Sequence, residues 1–116
     1  MSDHPIPEYP IPTVLAGDPV LREFYPEFVE RWLADLTTQW PAVVERADPT
    51  ELYRFGHTIK GSFIQFGLRD LSDVGRHVMA CTDPLDWTKA SACVEGLRRT
   101  LLQFQSILPS LLERSS

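Results

Sequence analysis

The most regular stretch of the chain reads ASACVEGLRRTLLQFQSILPSL, residues 90–111. Its apolar residues recur three or four positions apart, at Ala90, Val94, Leu97, Leu101, Phe104, Leu108 and Leu111. That spacing places them on one face of an α-helix, and most of the residues between them are polar. The stretch therefore predicts a long amphipathic helix that buries one face and continues past Pro109.

Three earlier segments repeat this helical periodicity. The first carries Phe24, Phe28, Val29, Trp32, Leu33, Leu36, Trp40, Val43 and Val44 on one stripe. The second is expected to bury Leu52, Phe55, Ile59, Phe63 and Phe66, and the third, after Gly67, Leu71, Val74, Val78 and Met79. No segment sustains the period of two that a strand requires. Four such helices with short connections predict an all-α fold, an antiparallel up-down four-helix bundle.

Ten prolines are many for a helical protein, but their positions favour helices. Three of them follow an aspartate, in the pairs Asp18-Pro19, Asp48-Pro49 and Asp83-Pro84. Because aspartate is a preferred N-cap and proline a preferred first helical residue, these pairs predict helix starts or the turns just before them. Asp48 and Glu51 have the spacing of a capping box. Pro26 and Pro41 predict a turn-like start and a kink in the first helix.

The first 17 residues differ from the rest in composition. Pro5, Pro7, Pro10 and Pro12 are too closely spaced for a helix to form. We expect residues 1–17 to be an extended or disordered N-terminal tail and residues 18–116 to form the bundle domain. A role of this tail in docking a partner stays open.

Composition and charge limit the class of protein. The 116 residues suffice for one domain, and the formal charge of −5 argues against the broad basic face of a nucleic-acid binder. No apolar run approaches the roughly 18 residues of a membrane span, and the N-terminus lacks the order of a signal peptide. Cys81 and Cys93 are too few for a disulfide scaffold, which predicts reduced, buried thiols in a cytoplasmic protein.

His57 lies on the polar face of the second predicted helix. At about 100° per residue, the buried positions lie mostly on the opposite side, so the imidazole should point to solvent. Within about 60° of His57 lie Tyr53, Arg54, Lys60, Gly61 and Ile64. Lys60 follows one turn later and supplies a cation suited to a phosphate or another anion.

Gly61 shares this face, and glycine in a helix interior costs roughly 1 kcal/mol relative to alanine. Close packing of another helix is the usual reason for such a glycine, but a residue on the face of His57 should point to solvent. The alternative is that a partner approaches His57 closely and a side chain at position 61 would block it. We therefore interpret His57, Lys60 and Gly61 as one functional site.

The motif HTIKGS at residues 57–62, followed by Phe66-Gly67-Leu68 and Leu71, resembles the signature of histidine phosphotransfer (HPt) domains. In that family a hydrophobic residue lies two positions after the histidine, Lys-Gly-Ser or Lys-Gly-Ala comes next, and a second glycine closes the helix. All of these positions match here. The motif covers residues 57–71 and the helix layout about residues 20–110, although Phe63 and Ile64 replace the small residues usual there.

The resemblance implies a four-helix intermediate of a two-component phosphorelay. His57 would accept a phosphoryl group from the aspartyl phosphate of a response-regulator receiver domain, alone or in a hybrid histidine kinase, and pass it to another receiver. Lys60 would stabilise the phosphate oxygens and Gly61 would admit the partner. The Mg²⁺ would belong to the receiver. The chain would have no cofactor of its own and, lacking a glycine-rich nucleotide loop, no autokinase activity.

The partner surface is expected to be an apolar patch around His57 with a polar rim. The candidates are Tyr53, Ile64 and Leu68 for the patch and Arg54, Gln65 and Arg69 for the rim. A self-sufficient bundle core suggests a monomer. Because of the acidic charge and the lack of a long apolar run, we expect the chain to bind neither nucleic acid nor a membrane.

Two other interpretations remain to be weighed. One is an HPt-like module that binds or sequesters a response regulator without phosphate. The presence of His57, Lys60 and Gly61 together favours phosphotransfer, because a binding-only module has no chemical need for them. The other is a metal site joining His57 and His77, but no further ligands lie at suitable spacing, so no metal is expected.

Overall fold

The structure, a computed structural model, describes residues 4–114. It contains four α-helices: α1 (Pro19–Arg46), α2 (Pro49–Gln65), α3 (Arg69–Ala80) and α4 (Trp87–Glu113). Within the described residues there is no strand, only an isolated bridge between Thr82 and Leu85 in the turn before α4. The predicted all-α fold is confirmed, and α4 continues past Pro109 as the periodicity indicates.

The four helices contact one another in a closed ring. α1 packs against α2 and α4, and α3 packs against α2 and α4, in a molecule of 45 × 24 × 21 Å. This arrangement encloses one core, in which Tyr25, Phe63 and Phe104 are the largest fully buried side chains. Among residues 4–114, no helix combines the length and apolar character needed to cross a bilayer.

α1 begins at Pro19, and the turn-like start expected near Pro26 is wrong. Asp18 supplies the N-cap, because its carboxylate accepts a hydrogen bond from the Val20 amide at 2.9 Å. Pro26 and Pro41 both lie inside the helix. Tyr25 and Val29, on either side of Pro26, are fully buried, so packing offsets the helix hydrogen bond that the proline cannot make.

The predicted core residues are buried or half-buried except at the two ends of the α1 stripe. Phe24 is 48 % exposed and Val44 is 37 % exposed. Each lies near an end of the helix, where the neighbouring helices cover less of its surface. The core also contains residues that periodicity missed, notably Leu15 before α1 and Leu68 before α3.

The aspartate caps form, but the capping box does not. Asp48 accepts from the Thr50 amide at 2.9 Å at the start of α2, whereas Glu51 pairs with Arg46 at 2.7 Å. The guanidinium competes for the carboxylate that would otherwise turn back to the N-cap amide. Asp83-Pro84 lies in the turn before α4 and has a cis peptide bond. Asp86 is the N-cap of that helix.

The segment from residue 4 to residue 17 has no helix or strand and packs against α3 and α4. The Tyr9 ring stacks on His77 with centroids 6.0 Å apart, and the Thr100 hydroxyl donates to the Tyr9 carbonyl at 3.4 Å. A Cβ at Gly96 would lie 2.5 Å from the Pro7 carbonyl oxygen, so the segment crosses α4 at a position that admits only glycine. These contacts tie residues 7–9 to the bundle; residues 1–3 of the predicted tail lie outside the described range.

A second attachment of the N-terminal segment involves the buried Tyr25 hydroxyl. It accepts from the Ala16 amide at 2.9 Å and donates to the Phe66 carbonyl at 2.6 Å. Gly67 follows with φ +74°, a conformation that favours glycine, and ends α2. One buried phenol thus connects the N-terminal segment, α1 and the end of α2.

Candidate functional site

His57 lies near the middle of α2, with its side chain exposed to solvent. The core-facing residues Leu52, Ile59 and Phe63 of the same helix are fully buried. The helical geometry that predicts an outward-facing imidazole is therefore realised. Helix α2 presents this side chain from a regular element packed on the bundle, which limits its freedom of position.

Lys60 lies one turn after His57 and is also exposed. Among residues 4–114, neither side chain makes a hydrogen bond or an ion pair. Both groups are thus available to an incoming ligand without breaking an existing interaction. An ammonium group on the same helix face as an imidazole can neutralise anionic oxygens on an atom that the imidazole contacts.

Gly61 occupies open space, since a Cβ built on it would have nothing within 4 Å. The packing of the fold therefore does not require glycine there. Gly56, five residues earlier, is different: a Cβ on it would lie 2.8 Å from the Gly75 carbonyl oxygen of α3. One glycine of α2 serves helix packing, and the other leaves the surface beside His57 bare.

The charge on this face of α2 is opposite to that of the whole chain. Between positions 53 and 65 there are two cations, Arg54 and Lys60, and no carboxylate, although the net charge is −5. The one acidic residue of α2, Glu51, is paired with Arg46. The residues of α2 on either side of His57 therefore carry a net positive charge, which favours an anionic ligand.

The predicted partner residues separate into an exposed set and one buried residue. Tyr53 and Ile64, at 49 % and 50 % exposed, lie on either side of His57 along the helix. Arg54, Gln65 and Arg69 are exposed as well. Leu68 is only 3 % exposed and belongs to the core, so a partner docked on this structure cannot contact its side chain. The loop turns it inward, where the Leu68 amide donates to the Phe63 carbonyl at 2.9 Å.

A groove of about 370 Å³ runs between α1 and α2 beside the His57 face. Its aromatic floor includes Phe28 and Phe66, whose rings stack with centroids 4.0 Å apart. Thr58, Ser62 and Gln65 line its α2 side. Ser62 of the motif therefore faces this groove and is half-buried.

Sequence reasoning missed the residues that support this site from behind. Ser72 and Gly75 of α3 are buried against the backbone of Lys60. The signal that could have found them is a pair of small residues three positions apart on the apolar face of α3.

The exposed His77 lies away from this site, and its Nδ1 atom is 3.3 Å from the hydroxyl oxygen of Tyr9. Residues 4–114 contain no cluster of three or more potential metal ligands.

The site thus combines an exposed imidazole, an unpaired cation on the same helix face and a surface without bulk at position 61. Such a site can bring a nucleophilic nitrogen to an anionic centre carried by another macromolecule. Comparison of the chain with models of protein families, with curated proteins and with solved structures finds no match.

Proposed function

We propose that this chain is a histidine phosphocarrier that takes a phosphoryl group from the aspartyl phosphate of a receiver domain and delivers it to another receiver. The observation that carries the proposal is the exposed, unpaired His57 side chain with Lys60 and the bare Gly61 on the same face of α2. The resemblance of residues 57–71 to the HPt signature agrees with it.

The reaction requires a nucleophile, a positive charge near the phosphoryl oxygens and an open surface for the receiver domain. A neutral imidazole nitrogen attacks phosphorus in line, a P–N bond forms, and the P–O bond to the aspartate breaks. The aspartate carboxylate leaves with the electron pair, and the imidazole releases a proton to water. The reverse sequence delivers the group to the next receiver. Because the transition state is loose, catalysis depends mainly on positioning and on neutralising the phosphoryl oxygens, which is the role of Lys60.

The exposed position of His57 suits a carrier, because the same nitrogen must meet a donor and an acceptor in turn. Tyr53 and Ile64 are the apolar contacts for the receiver, with Arg54, Gln65 and Arg69 around them. The Mg²⁺ that accompanies the reaction belongs to the receiver in this proposal. The chain acts as a cytoplasmic monomer, and its helices follow an antiparallel up-down order, which the ring of helix contacts supports.

The test is transfer of label from receiver domains of the same organism that have been phosphorylated with radiolabelled acetyl phosphate. We expect acid-labile, base-stable label on the wild-type chain and none on His57→Gln. Lys60→Gln should slow labelling about tenfold or more, because a charge-assisted interaction with the phosphoryl oxygens is lost.

His77→Gln is the matched control, since His77 is the exposed histidine of α3. It should be labelled like the wild type. Label that survives His57→Gln would contradict the proposal. Receivers that bind the chain and never label it would instead support the phosphate-independent binding module.

A further inference from the structure

The backbone of α2 behind the exposed site lies very close to α3. A Cβ built on Gly75 would be 2.5 Å from the Lys60 nitrogen and 2.9 Å from the Lys60 Cα. Both are backbone atoms, which cannot swing aside as a flexible side chain would. Glycine at position 75 therefore lets α3 reach the main chain of Lys60.

Ser72, one turn earlier on α3, holds the same residue through its carbonyl. The Ser72 hydroxyl donates to the Lys60 carbonyl oxygen at 3.0 Å, and Ser72 is only 4 % exposed. The main chain of Lys60 is thus in contact with α3 at its nitrogen, Cα and oxygen, while its side chain faces solvent.

The helical turn that carries His57 and Lys60 needs this support. Gly56 precedes it and Gly61 follows it, and glycine is a poor helix former because it retains much conformational freedom when unfolded. The contacts from α3 to Lys60 therefore act on a turn of α2 whose flanking residues have a low intrinsic helix propensity.

We propose that Ser72 and Gly75 are positioning residues that act through Lys60. They fix the backbone of Lys60 so that its ammonium group stays on the His57 face when a partner docks. Neither residue touches the phosphoryl group. The inference rests on the proposed function, because it assigns a purpose to the placement of Lys60 relative to His57.

The test uses Ser72→Ala in the full chain, because Gly75→Ala places a methyl group against backbone and endangers folding. In single-turnover transfer from a labelled receiver, we expect a maximal rate about threefold to tenfold below wild type. The receiver concentration that gives half the maximal rate should stay within about twofold, because the exposed docking residues are unchanged.

A double-mutant cycle separates positioning from general structural support. If Ser72 acts through Lys60, adding Ser72→Ala to Lys60→Gln should cause no further loss of rate. An equal loss in both backgrounds would overturn the inference.

Thr100→Val is the matched control. Like Ser72, Thr100 is 4 % exposed and its hydroxyl donates to a backbone carbonyl of another segment, in this case that of Tyr9. Unlike Ser72, it lies on α4, away from Lys60 in the sequence and on another helix. The transfer rate of Thr100→Val should stay within about twofold of wild type. A loss as large as that of Ser72→Ala would likewise count against positioning.

Amide hydrogen exchange tests the contact independently of phosphotransfer. The Ile64 amide bonds to the Lys60 carbonyl within α2, so Ser72→Ala should accelerate its exchange relative to the rest of the helix. Unchanged exchange would overturn the inference even if phosphotransfer occurs. If no receiver labels the wild type while exchange does accelerate, the proposed function fails and the α3 contact stands.

Discussion

At the scale of single residues, the glycine at position 61 is not required by helix packing, but it would give the proposed partner access to His57. Gly61 is exposed and has nothing within 4 Å of a Cβ. A residue that weakens a helix and fills no packing requirement is unfavourable for stability alone. In the proposed function, its place beside His57 and Lys60 is explained by the close approach of the receiver domain.

Gly61→Ala should therefore stabilise the chain and impair phosphotransfer. We expect the free energy of unfolding to rise by about 1 kcal/mol, because alanine is the better helix former and meets no neighbour. Transfer from the receiver should need a several-fold higher receiver concentration. Urea denaturation and transfer kinetics measure the two effects. A stabilised variant with wild-type transfer would show that the bare surface does not serve partner approach.

Leu68 shows that a sequence motif alone does not identify which residues a partner can contact. Leu68 matches the HPt pattern and belongs to the core, whereas Tyr53 and Ile64 are about half exposed beside His57. A motif records residue types in order, but the loop conformation decides which of them a partner can reach.

At the scale of elements, the pair α2 and α3 is defined by two glycines that face each other. A Cβ on Gly56 would lie 2.8 Å from the Gly75 carbonyl and 2.9 Å from the Met79 nitrogen. The two backbones therefore approach more closely than helices with larger side chains can. This close contact places α3 directly behind the His57 site.

Gly56→Ala and Gly75→Ala should each lower the free energy of unfolding by about 1–3 kcal/mol, because a methyl group must displace backbone atoms of the facing helix. Urea unfolding monitored by circular dichroism measures the change. Gly17→Ala is the control, since a Cβ there meets nothing within 4 Å, and it should stay within about 0.5 kcal/mol of wild type. Equal stability of all three variants would contradict the close helix contact.

At the scale of the whole molecule, the N-terminal segment covers a cluster of ionisable groups between α3 and α4. Burial is the main cause that raises the pKa of the Tyr9 hydroxyl, and the neighbouring Cys93 raises this pKa further. Burial likewise raises the pKa of the Cys81 and Cys93 thiols. All three groups are therefore held in their protonated, neutral form by the folded chain.

The chain should lose stability as the pH rises from neutrality. The unfolded chain gives up these protons at lower pH than the folded chain, so the loss begins near the ordinary thiol pKa of about 8.5 and continues above the phenol value of about 10. Urea unfolding between pH 7 and pH 11 measures it. Tyr9→Phe should flatten the decline above pH 10, whereas Tyr53→Phe, at an exposed position, should not. Stability that is constant or rising over this range would refute the prediction.

Much of the fold could be predicted from local signals. Apolar spacing indicated the four helices, and the aspartate–proline pairs located two of their starts and the turn before α4. The interruption expected at Pro26 was wrong, because burial of Tyr25 and Val29 outweighs one missing hydrogen bond. Glu51 pairs with Arg46 instead of closing the capping box, which the spacing of Asp48 and Glu51 alone does not reveal.

The amino-acid sequence alone determined that the chain forms four amphipathic helices and that His57, Lys60 and Gly61 share the exposed face of α2. These are local properties, because helical geometry relates residues only a few positions apart. The tertiary structure decided that α3 meets the backbone of Lys60 through Ser72 and Gly75 and that the proline-rich segment packs at Gly96. Such contacts join residues distant along the chain, and they depend on shape complementarity that no periodicity records.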